Sequence, residues 1–230
     1  MIHVMLDLET WGKRPGCDIR SIGACVFDPV AGTVAGGINK TSHMIEAGKA
    51  FYIACDNPQL VRYTWTGTDG TISKYPLARD PDTVKWWSEQ SDDAQAAFEG
   101  WVDLKDGLVR FGTWLRSLTD TIYNGMVKIP DDLRLYAHGP QFDCSILEAA
   151  YHAVGLPVPW HYRAPRDTRT VFDVCGVGDH SAWMARYPVG TAHHALDDAI
   201  SQARAVCAAM ASASSKDPAR ASYVARQSCC

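Results

Sequence analysis

A chain of 230 residues with 47% hydrophobic and 21% charged residues has enough apolar mass for one large domain with a substantial core. Its formal charge of −4 argues against the broad basic surface that coats a duplex, although bound cations can still bring a nucleic-acid substrate to an acidic protein. No uncharged apolar stretch approaches the roughly 18 residues needed to span a bilayer, and no basic leader precedes the first apolar run, so a cytoplasmic protein with no membrane partner is expected.

In chain order, Ile2 to Leu8 reads as a buried strand and Ile19 to Phe27 as a second, stopped by Asp28-Pro29. Thr33 to Ile45 is expected to form the third member of an antiparallel trio, with Gly36-Gly37 marking a bulge. Residues 55 to 80 lack periodicity and read as a long loop or irregular insertion. Asp80-Pro81 then starts a short helix as N-cap and first residue, and Ser91 caps another bearing Ala94, Ala97 and Phe98. From Asp103, the spacing of Leu104, Leu108, Phe111, Leu115 and Leu118 predicts a helix of about four turns. Leu133 to Ala137 is a strand, and Asp143 to Val154 a helix ended by Gly155 and Pro157. A short helix begins near Thr168, and a last one runs from Ala195 to Met210 with Leu196, Ile200, Ala203, Cys207 and Met210 inward. Beyond Ala211 the composition turns to that of a tail. The eight cysteines show no C-x-x-C pair, and most lie among apolar neighbours, which reads as buried free thiols in a reducing compartment. The order of elements predicts a mixed sheet flanked by helices, the α/β class.

Asp7 and Glu9 lie two apart at the end of the first strand and so project from one face toward one site. An Asp-x-Glu arises by composition about once in a chain this long, so the pair draws its weight from its position; the bland reading is two solvated carboxylates. Asp143 follows the strand 133–137 across Gly139-Pro140 and opens a helix, either as an N-cap or as a group facing a metal. His193-x-Ala195-x-x-Asp198 sets a histidine just before a helix and a carboxylate in its first turn. Held together, such carboxylates repel by roughly 4 kcal/mol per pair at 4 Å and an effective dielectric near 20. Divalent cations remove that penalty. Oxygen-only ligands suit Mg²⁺ or Mn²⁺ rather than zinc.

In this order the motifs resemble the DEDDh branch of the 3′–5′ exonucleases, whose fold is ribonuclease H-like. The resemblance covers roughly residues 1–208 and extends to a phage and bacterial subgroup of exonuclease VIII-like and mycobacterial exoribonuclease-like proteins. It is carried further by Asp7-Leu8-Glu9-Thr10, Ser21-Ile22-Gly23-Ala24, Thr83-Val84-Lys85-Trp86-Trp87, Phe142-Asp143 and Asp167-Thr168-Arg169-Thr170. His138 departs from it, standing where the subgroup usually has Asn in a Gly-Asn-Gly turn. The resemblance implies an exonuclease domain over residues 1–210 with a tail over 211–230. It implies Asp7, Glu9, Asp143 and Asp198 as ligands of two ions, Mg²⁺ or Mn²⁺. His193 is then the general base, because an imidazole titrating near 6.5 suits proton removal near neutral pH. The family's spacing to the final Asp selects it over His194, and Asp197 reads as a solvated or salt-bridged helix residue, with a supporting role behind the ligands as the alternative. The reaction implied is two-metal hydrolysis at the 3′ end of single-stranded DNA or RNA, releasing nucleoside 5′-monophosphates. Homodimers are common among the related exonucleases.

Substrate contacts are open at this level. Thr10 is placed to hydrogen-bond the terminal sugar, and Trp11 either stacks on a base or packs against its own loop. Trp86 and Trp87 are core residues unless one serves as a platform. Arg169 either contacts phosphate or pairs with Asp173, and Phe142 reads as core. Two rival readings use the same fold: a module that binds single strands without cutting, and a proofreading subunit that works beside a polymerase.

Overall fold

The computed structural model describes residues 1–35, 44–45, 48–55, 65–66, 72–73, 75–96, 101–118, 122–123, 126–127 and 133–216. Its strands are β1 (Ile2–Thr10), β2 (Ile19–Asp28), β3 (Thr33–Val34), β4 (Met44–Ile45), β5 (Ala50–Ala54), β6 (Trp65–Thr66), β7 (Ile72–Ser73), β8 (Ile122–Tyr123), β9 (Met126–Val127), β10 (Leu133–Ala137) and β11 (Pro165–Asp167). Its helices are α1 (Pro81–Ser88), α2 (Asp92–Ala96), α3 (Leu104–Ser117), α4 (Asp143–Ala153), α5 (Thr168–Val174), α6 (His180–Met184) and α7 (Ala195–Lys216). One seven-stranded sheet, in the order β11-β10-β1-β2-β5-β4 with β3 also on β2, carries the fold. β1 pairs antiparallel with β2 and parallel with β10, so the expected mixed sheet is present.

The strand that pairs antiparallel along most of β2 is β5, while the expected run from Thr33 to Ile45 joins β2 through β3. Among the described residues that run contributes β3 and β4, and Gly36-Gly37 lies outside the described residues. β5 reads Ala-Phe-Tyr-Ile-Ala and is buried throughout, so its sequence has no alternation to betray a strand. Of the irregular insertion, β6 and β7 form a short hairpin, and residues 56–64, 67–71 and 74 lie outside the described residues. Asp80 caps α1 and Asp103 caps α3, as expected from their side-chain oxygens. Ala97 and Phe98 lie outside the described residues. α7 continues to Lys216, past the expected end at Met210. Cys17, Cys25, Cys55, Cys144 and Cys207 are buried. Among the described residues no helix is long and apolar enough to cross a membrane.

The alternation of β1 divides the core. Val4, Leu6 and Leu8 pack with Leu108 and Phe111 of α3 and Ile146 and Leu147 of α4. Met5, on the opposite face, packs with Ala195, Leu196, Ala199 and Ala203 of α7. Asp7 and Glu9 share the Met5 face, so the strand delivers them to the side that α7 covers. Asp7 pairs with Gly23 across β1 and β2. A Cβ on Gly23 would lie 2.1 Å from the Ala195 carbonyl carbon and 2.2 Å from the Leu196 nitrogen. The first turn of α7 therefore rests on bare backbone beside Asp7. Gly23→Ala is expected to lift that turn off the sheet and to cost about 1–3 kcal/mol, read as a lower urea midpoint. An unchanged midpoint would show that the contact tolerates a methyl group.

Candidate active site

Three elements end around one pocket. Asp7 projects from β1, and its Oδ1 accepts a hydrogen bond from Gln202 Nε2 of α7 at 2.7 Å. Glu9, two residues on, is 8% exposed. Asp143 is the first residue of α4 rather than its cap, a position held by Phe142 with no side-chain cap bond. The Asp143 Oδ1 instead accepts the Leu8 N–H at 3.1 Å, between the two β1 carboxylates in sequence, and the residue is 4% exposed. That contact sets aside the N-cap alternative. Asp198, in the first turn of α7, accepts the His193 N–H on Oδ2 at 2.9 Å. Gln202 went unnoticed in the sequence, although its place four residues after Asp198 on one helix marks the same face.

Crowding and burial raise the proton affinity of all four carboxyls. For Asp7 burial is the largest cause, followed by the charges of Asp143, Glu9 and Asp198. Glu9 is pushed up to about 8 by burial, with Asp198 and Asp143 adding to the effect and the Arg20 guanidinium opposing it. Burial takes Asp143 to about 7 against the Leu8 N–H and the charge of Arg169. It takes Asp198 to about 6 against the His193 N–H. Such a cluster favours either protons or cations.

His193 is held in the left-handed region, at φ 63, a conformation costing a non-glycine residue of order 1–3 kcal/mol. Its bond to Asp198 and the packing of its ring offset that strain. The imidazole meets Trp86 edge-on at 4.9 Å between centroids, and burial lowers its pKa. A ring nitrogen of His193 and carboxylate oxygens of Glu9 and Asp198 all lie within 4.8 Å of one another. His194 turns the other way and stacks on Tyr52 at 4.1 Å. Its Nδ1 accepts the Asp197 N–H at 3.3 Å. Asp197 is not a solvated helix residue. Its Oδ2 accepts the Thr191 N–H at 2.8 Å, and a Cβ on Gly190, at φ 58, would sit 1.8 Å from that oxygen. The loop carrying His193 wraps this carboxylate.

A family model, the 3′-5′ exoribonuclease Rv2179c-like domain, matches residues 2–210. The chain belongs to this family. It is therefore an exonuclease of the DEDD type, a hydrolase that acts on nucleic acid. Among solved structures it is similar to S. pombe Pop2p in its Mg²⁺- and Mn²⁺-bound form, at 14% identity and a TM-score of 0.51, over 90% of this chain and 81% of that one. That likeness shows the shared fold, a central mixed sheet flanked by helices. No curated protein matches the sequence.

On this exonuclease scaffold Asp7, Glu9, Asp198 and His193 line a cleft of about 520 Å³ together with Thr10 and Trp86, and Asp143 lies behind Leu8 and Phe142. The two tryptophans divide. Trp87 is 2% exposed and donates Nε1–H to the Thr10 carbonyl at 2.9 Å, whereas Trp86 is 41% exposed at the cleft. Of its two expected roles, Trp11 takes packing. It is buried with Trp87, and the Arg20 and Arg79 guanidiniums lie 4.3 and 4.5 Å from its ring centroid, which leaves it unsuited to stacking on a base. The Thr10 hydroxyl donates to the Gly12 carbonyl at 2.6 Å, so toward a ligand it can only accept. Arg169 is exposed, with Nη1 2.7 Å from where a Cβ on Gly139 would stand, and its charge acts on Asp143. Asp173 pairs with His180 at 3.0 Å. His138 Nδ1 lies 2.8 Å from the Thr168 hydroxyl, bracing the turn before α4 onto α5.

The raised carboxyls set the pH dependence of the metal-free protein. A carboxyl whose folded pKa exceeds its unfolded value of about 4 binds more protons when folded, so its contribution to stability falls as pH rises between the two. Between about pH 4 and the Glu9 value of about 8, wild type should lose stability relative to Asp7→Asn in EDTA. The difference between the two proteins cancels the histidine contributions. Urea midpoints across that range measure it; a difference that grows in favour of wild type would mean the carboxyls ionise without strain.

Proposed function

We propose that the chain is a DEDDh exonuclease of the exonuclease VIII-like subgroup, removing nucleoside 5′-monophosphates from the 3′ end of single-stranded RNA, with DNA as the alternative strand. The observation that carries this reading is the convergence of Asp7, Glu9, Asp143 and Asp198, from three remote segments, beside the His193 imidazole. Residues 1–210 are the exonuclease domain and 211–230 an extension of it.

Asp7, Glu9, Asp143 and Asp198 would hold two Mg²⁺ or Mn²⁺ ions. The fit rests on an oxygen-only donor set that is crowded and desolvated enough to bind protons in the absence of cations. When bound, such ions activate water and stabilise charge on the leaving oxygen. His193 accepts the proton of the attacking water on a ring nitrogen. Its lowered pKa keeps that nitrogen unprotonated near neutral pH. Gln202 orients Asp7 through its amide, and Asp197 holds the His193 loop. Trp86 offers an exposed indole to the terminal base, an interaction typically of about 1–3 kcal/mol. Arg169, exposed beside Gly139, is placed to meet a phosphate, and the Thr10 oxygen to accept from a sugar hydroxyl.

Incubation with Mg²⁺ or Mn²⁺ and matched 5′-labelled single-stranded RNA and DNA should give a ladder that shortens from the 3′ end, faster on RNA. Asp7→Ala should abolish the ladder, and equal digestion by this variant and wild type would trace the activity to a contaminant. His193→Ala should lower kcat by roughly 10²–10⁴ with little change in KM. Asp197→Ala should lower kcat by about 10² through misplacement of His193, and Asp197→Asn, which keeps an acceptor for Thr191, should recover most of it. Equal kcat in Asp197→Ala and wild type would sever that link.

A further inference from the structure

We propose that Glu9, His193 and Asp198 form a site for a nitrogen-preferring transition cation of the Zn²⁺ type, and that filling it switches hydrolysis off. The inhibitory part rests on the exonuclease reading above; the binding part stands without it. One ring nitrogen and two carboxylate oxygens lie within 4.8 Å of one another, a set that small rotations close around a single ion. The oxygen-only argument that favours Mg²⁺ covers Asp7, Glu9, Asp143 and Asp198. Adding the imidazole changes the preference, because Zn²⁺ takes imidazole nitrogen at about 2.0–2.1 Å and carboxylate oxygen at about 2.0–2.2 Å in a tetrahedron, leaving one position for water.

The imidazole is already in place. Its ring is fixed edge-on to Trp86 at 4.9 Å and 87°, and its backbone N–H is tied to the Asp198 Oδ2 at 2.9 Å. A histidine swinging in from solvent would lose rotamer freedom on binding; this one has lost it on folding. The same placement explains the inhibition. The nitrogen lone pair that faces the carboxylates is the one available to take the water's proton, and a lone pair donated to a cation accepts none. Mg²⁺ and Mn²⁺, which favour oxygen, leave that lone pair free.

The test is a Zn²⁺ titration of the tag-free full chain carrying Cys229→Ser and Cys230→Ser, so that the terminal thiols do not compete. His193→Ala should weaken Zn²⁺ binding by about 10–100-fold or more while leaving stabilisation by Mg²⁺ within about twofold. Asp143→Asn should do the reverse. Zn²⁺ affinity unchanged by His193→Ala, or lost equally with Asp143→Asn, overturns the site. Co²⁺ in the unsubstituted His193 protein gives a readout that needs no active-site variant: paramagnetically shifted imidazole N–H resonances are expected, and their absence also overturns it. In the ladder assay with Mg²⁺, Zn²⁺ at saturating concentration should stop digestion; continued digestion overturns the switch. A protein inactive both with Mg²⁺ alone and with Mn²⁺ alone would instead overturn the exonuclease reading, with the binding comparison still deciding the site.

Discussion

Four carboxyl groups drawn from three remote parts of the chain meet in one acidic cluster, and the surrounding architecture holds them there against their mutual repulsion. Each is restrained by a named partner rather than by burial alone. The Leu8 N–H takes Asp143, the Gln202 amide takes Asp7, and the His193 N–H takes Asp198. Glu9 is relieved by the charge of Arg20, whose guanidinium lies 4.3 Å from the ring centroid of Trp11 and 4.1 Å from that of Trp87. A buried cation in contact with two indoles keeps its charge with less need of water than an ammonium would. The site is therefore under electrostatic tension that only protons or cations relieve, which is the condition a metal-dependent hydrolase needs before substrate arrives.

Packing makes that tension sustainable. α7 reaches the sheet through alanines, and its first turn sits on Gly23, the register partner of Asp7. Helix and strand backbones approach there more closely than any side chain would allow. The same helix supplies Asp198, Gln202 and the Asp197 anchor, so one docking event positions most of the His193 side of the pocket. α3 and α4 brace the opposite face, and the Asp143 carboxylate reaches the backbone of β1. The geometry of the acidic cluster is thus a consequence of two helical layers meeting at the end of the interior strand β1.

Neighbouring residues of the same type have been given different work. Trp87 is core and Trp86 open; His193 faces the carboxylates and His194 stacks on Tyr52; Asp198 joins the acidic cluster and Asp197 secures the loop. Successive residues on a helix or in a tight turn point in directions far apart, so a doubled letter is two separate positions. Trp11 shows the same principle in reverse. It follows the Asp-x-Glu motif, yet it packs against Trp87 and two arginines instead of opening to the cleft.

The motif residues and their order were enough to anticipate the fold class and to single out Asp7, Glu9, Asp143, Asp198 and His193, which the fold brings together. α1 was legible from Asp80 and Pro81 at its start, and α3 and α4 from apolar residues at 3.6-residue spacing. Those features are written in spacing. What no spacing contains is contact between segments. β5 was hidden because a strand buried on both faces shows no alternation, and Gly23, Gln202, Arg20 and Asp197 acquire their roles only from what the fold sets against them. The chain specifies which groups are available for chemistry; their directions, exposure and charge environment come from through-space packing, which a linear order of residues does not encode.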